Sequence, residues 1–377
     1  MSCPVCTSAD VMSLLNVGEM PVLCNQLCLT EEAARSVSFG RIEVAFCRDC
    51  GHVFNPAFDA DKLRYSPDYE NSLHCSGMFQ SYADGLVAEL VDRYGLRKKK
   101  VVEIGCGQGD FLKSLCAAGD NMGFGFDPSY GGGNEDPRVT IHSVSFAEIE
   151  GKLDADFVAC RHVLEHIDRP TEFLRTLVTK LDVGTKVFFE VPNVLFTLRD
   201  GGIWDIIYEH CGYFSPSSLT RAFQLAGLAV EEVEETFGGQ FLVIHAVVAG
   251  VPLVTSPVAP ELEAIAKRFA DDYRIKVAEW RETLAQAAAE GQRVVAWGAG
   301  SKGNTFLNLV GPNIAAIVDI NPKKRGKFVA GTGQPIWAPD QLSANAPSMV
   351  VIMNPVYERE IAGMLEALGI DATLLVA

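Results

Sequence analysis

Three groups of residues in this chain have types and spacings that can do chemistry. The first is Glu103-Ile-Gly105-Cys106-Gly107-Gln-Gly109, entered by the apolar run Val101, Val102 and Ile104. Glycines at alternate positions leave no side chain between the backbone and a ligand lying against it. Phe111 to Ala118 continues with helical spacing, and Gly123-Phe-Gly-Phe-Asp127 reads as the next strand. Its terminal carboxylate is placed to accept from a ribose diol. The second group is two Cys-x-x-Cys pairs, Cys3 with Cys6 and Cys47 with Cys50. Each pair can chelate one ion through two thiolates, and together they make the closed tetrahedral set expected of structural zinc. Four thiolates leave no open coordination position, so catalysis by this ion is disfavoured. Cys24 and Cys28 are competing ligands at a poorer spacing, and His52 reads as a surface or packing residue.

The third group is the polar stretches His162-Val-Leu-Glu-His166 and Tyr208-Glu209-His210-Cys-Gly-Tyr213. A carboxylate beside an imidazole can orient it and raise its basicity, which makes an acid–base set. A satisfied polar loop is the other reading. Tyr65 and Tyr69 stand in a polar linker, either facing a site or packed on the surface.

These groups need elements to hold them. Helices are expected at Phe79 to Tyr94, Pro170 to Leu181 and Ser217 to Ala226. Strands are expected at Val139 to Ser143, Phe157 to His162 and Lys186 to Pro192, with an antiparallel pair at Ala229 to Glu234 and Phe241 to Ala249. His162 and His166 then follow a strand of an open parallel sheet, where ligands bind. Glu261 to Glu290 reads as one long bridging helix. A second strand–turn–helix follows at Arg293 to Thr305, with Gly298-Ala-Gly300-Ser301-Lys302-Gly303-Asn304 in its turn. Further strands are expected at Ala315 to Asp319, Ser348 to Met353 and Thr373 to Val376, with Glu358 to Leu368 helical. By pattern this second unit is a nicotinamide-type fingerprint with Asp319 at its acidic position. Lys302 inside the turn suits an anionic phosphate better. Two such units allow two cofactors, one cofactor with a nucleotide-linked substrate, or a degenerate structural copy.

The chain has 377 residues, enough for two or three domains. We expect a zinc-binding module and linker at 1–72, a Rossmann-like domain at 73–252, and a second Rossmann-like domain at 253–377. A net charge of −16 argues against a nucleic-acid partner, which needs a basic face. No long uncharged apolar run and no signal peptide are visible, so a cytoplasmic location without a membrane partner is expected. Eleven cysteines then point to metal ligands and buried thiols, not to a disulfide frame.

The glycine turn with its flanking acids resembles motif I of the class I S-adenosylmethionine (SAM) methyltransferases. That resemblance assigns Glu103, Gly105, Cys106, Gly107, Gly109, Asp127, Pro128 and His162 to the cofactor. With the four cysteines, Glu209-His210-x-x-Tyr213-Phe-Ser215 and Gly298-Ala-Gly-Ser-Lys-Gly-Asn304, nearly the whole chain resembles the three-domain, zinc-containing sugar C-methyltransferases. The resemblance implies methylation at carbon 3 of a nucleotide-linked 4-keto-6-deoxysugar through an enolate. It implies His210 as base oriented by Glu209, with His166, Tyr208 and Tyr69 as further catalytic residues. Ser301, Lys302 and Asn304 would hold the sugar nucleotide in a domain that carries no nicotinamide. The chain departs from the family at Ile207, where a tyrosine stands three residues before the histidine, and at Met353-Asn354-Pro355-Val-Tyr357, where a tryptophan is expected. O- or N-methylation of a small anionic metabolite, and a non-catalytic SAM-binding scaffold, are the other readings.

Overall fold

The computed structural model describes residues 1–64, 69–70, 76–253 and 261–377. The expected linker tyrosine Tyr65 and the expected 72/73 division lie outside the described residues. Three sheets organise the chain. The central one has seven strands in the order 228–236, 241–248, 186–192, 157–161, 100–104, 122–126, 139–142. The five from 186–192 to 139–142 are parallel, and the outer two run as an antiparallel pair onto 186–192. The three parallel strands 100–104, 157–161 and 186–192 are buried on both faces, which is why they read as near-continuous apolar runs. Strand order reverses about Lys100–Ile104, so a crevice opens at its carboxyl end, where Gly105 begins the turn.

The second sheet is five-stranded and parallel throughout, in the order 336–337, 316–318, 294–297, 349–352, 373–376. Its two-residue strand Ile336–Trp337 is too short to show a period and was not expected.

The third sheet is antiparallel: Val11–Pro21, Phe39–Cys47, Val53–Phe54 and Gly212–Tyr213. Its last strand comes from far along the chain and directly follows His210, so the amino-terminal segment is built onto the loop that carries this histidine. The segment shares a core with the long helix Glu261–Ala289. Val22, Ile42, Val44 and Phe46 cluster with Leu262, Ala266, Phe269 and Tyr273. Among the described residues no helix is long and apolar enough to cross a membrane.

Candidate active site

The glycine turn takes its shape from backbone that side chains resist. Gly105, Gly107 and Gly109 all have left-handed φ, at 69°, 54° and 81°. A Cβ at Gly105 would stand 2.1 Å from Val163 Cγ2, and one at Gly109 would stand 2.5 Å from Ile141 Cδ1, whereas Gly107 faces open space. Asp127 ties the turn to the next strand: its Oδ2 accepts the Gly107 N–H at 2.8 Å, and its Oδ1 accepts both the Ser129 N–H and hydroxyl. Oδ2 keeps a lone pair for a ligand hydroxyl. Cys106 is buried in the turn, while Pro128 is exposed. Glu103 is buried, and its Oε2 has no partner among the described residues. Burial raises its pKa to about 8, against the nearby charge of Arg161. An orphaned carboxyl group beside an open, side-chain-free turn fits a cofactor that carries cationic groups and a ribose.

A cavity of about 340 Å³ lies between the central and carboxy-terminal sheets. It brings together His162, Glu165, His166, Ile207 and His210 with Tyr69 and, from the second unit, Ser301 and Lys302. His210 makes no hydrogen bond among the described residues. Burial, then the charge of His166, lowers its pKa to about 3, so it is a neutral imidazole at neutral pH. His166 Nδ1 lies 2.9 Å from the Glu209 carbonyl oxygen, and its ring stands 4.9 Å from that of His210. His162 has φ 55°, and its Nε2 lies 2.9 Å from Glu190 Oε1. Burial opposes its charge, but Glu165 and Glu190 outweigh that and hold its pKa up at about 9.

Several expected roles are corrected. Glu209 does not orient His210 with its carboxylate, which is buried and accepts the Cys24 N–H at 2.7 Å with Tyr69 beside it. Its part in the histidine pair is played by its carbonyl, on His166. Tyr208 is fully buried against Gly40, and its hydroxyl donates to Asp59 O and accepts from Asp59 N–H, so it is a packing residue outside the cavity. Asn304 is buried with its amide on Ala330 O, away from the cavity lining. Lys302 does line the cavity, but it is ion-paired to Asp205 at 3.0 Å. His162 lines this same cavity, not only the turn. The nicotinamide-type reading of the second unit also weakens. Asp319, at its acidic position, spends Oδ2 on the Ala299 N–H and on Lys324.

A buried network went unanticipated. Arg161 donates through Nε and Nη2 to Glu190 Oε1 at 3.0 and 2.8 Å, and Tyr82 donates to the other oxygen. The signal was present: an arginine and a glutamate inside apolar strands are unlikely company for a core unless they pair. Glu165 was also passed over, although it stands between the two histidines of one short motif.

The four amino-terminal cysteines converge. Cys3 and Cys50 sulfurs are 3.5 Å apart, as are those of Cys6 and Cys47, and all four lie within 4.8 Å. A tetrahedral ion with metal–sulfur bonds of about 2.3 Å separates its ligands by roughly 3.8 Å, so the donor set fits. Cys24 and Cys28 lie outside this cluster. His52 is fully buried, stacked on Phe54 and tilted against Phe214.

Residues 79–233 match a family model described as a methyltransferase domain, and residues 261–375 match the C-methyltransferase C-terminal domain. Over 95% of this chain and 90% of the relative, the sequence is 28% identical to the C-methyltransferase NovU of Streptomyces niveus. Over nearly its whole length the chain therefore resembles the C-methyltransferases. It is a SAM-dependent methyltransferase with the class I fold, and its likeness to NovU and to the C-methyltransferase C-terminal domain supports transfer to carbon. A ubiquinone biosynthesis O-methyltransferase of Aromatoleum aromaticum is 26% identical over 37% of this chain and 68% of its own length. A solved magnesium protoporphyrin IX methyltransferase from Synechocystis PCC 6803 is 20% identical, with TM-score 0.36 over 45% of this chain and 83% of that one.

Proposed function

We propose that this methyltransferase acts on carbon 3 of a nucleotide-linked 4-keto-deoxysugar, with His210 as the base. The observation that carries this reading is a neutral imidazole, unbonded among the described residues, lining a cavity shared by the methyltransferase sheet and the second Rossmann-like unit. SAM, when bound at Glu103, Gly105, Gly107 and Asp127, supplies an electrophilic methyl group. A ketone acidifies the neighbouring carbon, so His210 takes that proton and the enolate carbon becomes the nucleophile. His166, fixed through Nδ1, presents Nε2 to the cavity and steadies the ketone oxygen. Tyr69 adds a phenol at the rim, and Ile207 leaves an apolar wall where relatives carry tyrosine. Ser301 opens the helix Ser301–Val310, whose Gly300 cap supplies no side chain, so its free N–H groups favour an anion. Lys302 joins them by exchanging Asp205 for the sugar nucleotide's phosphate. Cys3, Cys6, Cys47 and Cys50 hold a structural zinc ion. In this reading residues 1–72 are the zinc module and linker, 73–252 transfer the methyl group, and 253–377 bind the substrate.

The test is NMR of reactions with ¹³C-methyl SAM and a panel of nucleotide-linked 4-keto-6-deoxysugars. A methyl signal coupled to a sugar carbon, lost in His210→Asn while SAM still binds, is expected. A methyl on oxygen or nitrogen discards the enolate step. Wild-type rates in His210→Asn discard the base.

A further inference from the structure

A base whose charged form is disfavoured by burial needs a counter-charge at the moment it takes a proton. The sequence pairs Glu209 with His210, but Glu209 Oε2 accepts the Cys24 N–H, and Glu209 is not among the charges acting on His210. The carboxylate that does reach the cluster is Glu165. It belongs to the short turn Leu164–His166 that follows strand Phe157–Arg161. Its side chain is 1% exposed, and its Oε2 has no partner among the described residues. Its other oxygen lies 3.7 Å from His162 Nδ1. One donor atom each of Glu165, His166 and His210 lie within 4.8 Å of one another. The Glu165 backbone is also held to the base's own loop, where Cys211 Sγ donates to its carbonyl at 3.5 Å.

We propose that Glu165 is the positioning residue of the His210 base, supplying the counter-charge that stabilises the imidazolium as the substrate carbon is deprotonated. This rests on the reading of His210 given above. In the step the C–H bond breaks and an N–H bond forms on His210. The C–H electron pair moves into the enolate, and the new positive charge lies within reach of the Glu165 carboxylate. After methyl transfer the proton leaves to water. Among the described residues four groups face the His210 ring: Glu165, His166, His162 and the Tyr213 phenol. The Tyr213 hydroxyl is occupied on both sides by the Ile207 backbone, accepting its N–H and donating to its carbonyl. Of the four, only Glu165 favours the protonated ring. The neighbouring imidazoles keep Glu165 ionised: burial works against the charge, and His162 at 3.7 Å, together with His166 and His210, overcomes it.

The experiment compares wild type, Glu165→Gln, Glu165→Asp and His210→Asn on the same 4-keto-6-deoxysugar panel. It follows methyl transfer and deuterium uptake at the carbon beside the ketone, each across pH. Glu165→Gln should lower kcat by about a hundredfold or more, within the range for a lost acid–base contribution. KM and SAM affinity should stay within a few-fold. Losing the anion lowers the pKa of His210, so the acid limb of the Glu165→Gln profile moves to lower pH. Glu165→Asp should recover part of both effects. A structural role alone would change thermal stability or SAM binding and leave the limb in place, and that result overturns the proposal. So does a wild-type rate in Glu165→Gln while His210→Asn is inactive, which leaves the base reading standing. Wild-type rates in His210→Asn, or no turnover of the panel by wild type, remove the base reading and this proposal with it.

Discussion

Gly105 and Gly107 lie two residues apart in one turn, yet a methyl group meets different things at each. At Gly105 it meets Val163 at 2.1 Å, inside the fold; at Gly107 it meets open space. Gly105→Ala should therefore destabilise the ligand-free protein by about 2–3 kcal/mol, combining left-handed strain with overpacking. Gly107→Ala should cost only ~1–2 kcal/mol of strain, but lower SAM affinity tenfold or more. Thermal melts with and without SAM, together with calorimetric titration, separate the two. Equal melting shifts with intact SAM binding in both variants would show that the turn is not the cofactor cradle. Residue scale also explains why Tyr208 and Glu209 were misjudged. Both are polar residues in a loop, where no period reveals which way a side chain points. Tyr208 is drawn inward because Gly40 leaves room for its ring.

Among elements, the strand Gly212–Tyr213 has a consequence out of proportion to its length. It pairs with Val53–Phe54, which pairs with Phe39–Cys47, and that strand ends on one of the four clustered cysteines. His52, clasped between Phe54 and Phe214, packs the joint. An ion at the cysteines would thus brace the loop that carries His210. Cys47→Ser should lower bound zinc, measured by elemental analysis, and reduce methyl transfer more than tenfold. SAM affinity should change little, because the glycine turn belongs to a different sheet. Unchanged metal content rejects the four-cysteine site; lost metal with full turnover rejects the bracing.

At the scale of the whole molecule, the cavity exists only because the two Rossmann-like units face each other across it. Their facing is fastened by polar pairs between residues far apart in sequence. Gln240 and Asn354 exchange amide hydrogen bonds at 2.9 and 3.0 Å, and Ser76 donates to Glu360 at 2.9 Å. Two neutral hydrogen bonds contribute about 1–2 kcal/mol net. Asn354→Ala should raise the KM for the sugar nucleotide about tenfold and leave SAM affinity alone, as initial-rate kinetics and titration would show. An unchanged KM would mean that this pair does not hold the substrate side of the cavity. Asn354 itself lines the cavity.

The amino-acid order alone determined the elements whose signals are local. Buried strands such as Lys186–Pro192 and Met349–Ile352 show as apolar runs, and helix Glu261–Ala289 as a long stretch free of glycine and proline. The glycine turn and the cysteine pairs were legible for the same reason, since a few neighbouring residues carry each motif. Tertiary structure decided everything that depends on distance along the chain. Asp205 meets Lys302, Glu209 meets Cys24, and Glu165 rather than Glu209 stands with the charge that favours a protonated His210. Hydrogen bonds and ion pairs form between atoms a few ångströms apart, whatever their separation in sequence. A loop residue takes its role from the surface that packs against it, and that surface comes into being only when the sheets assemble.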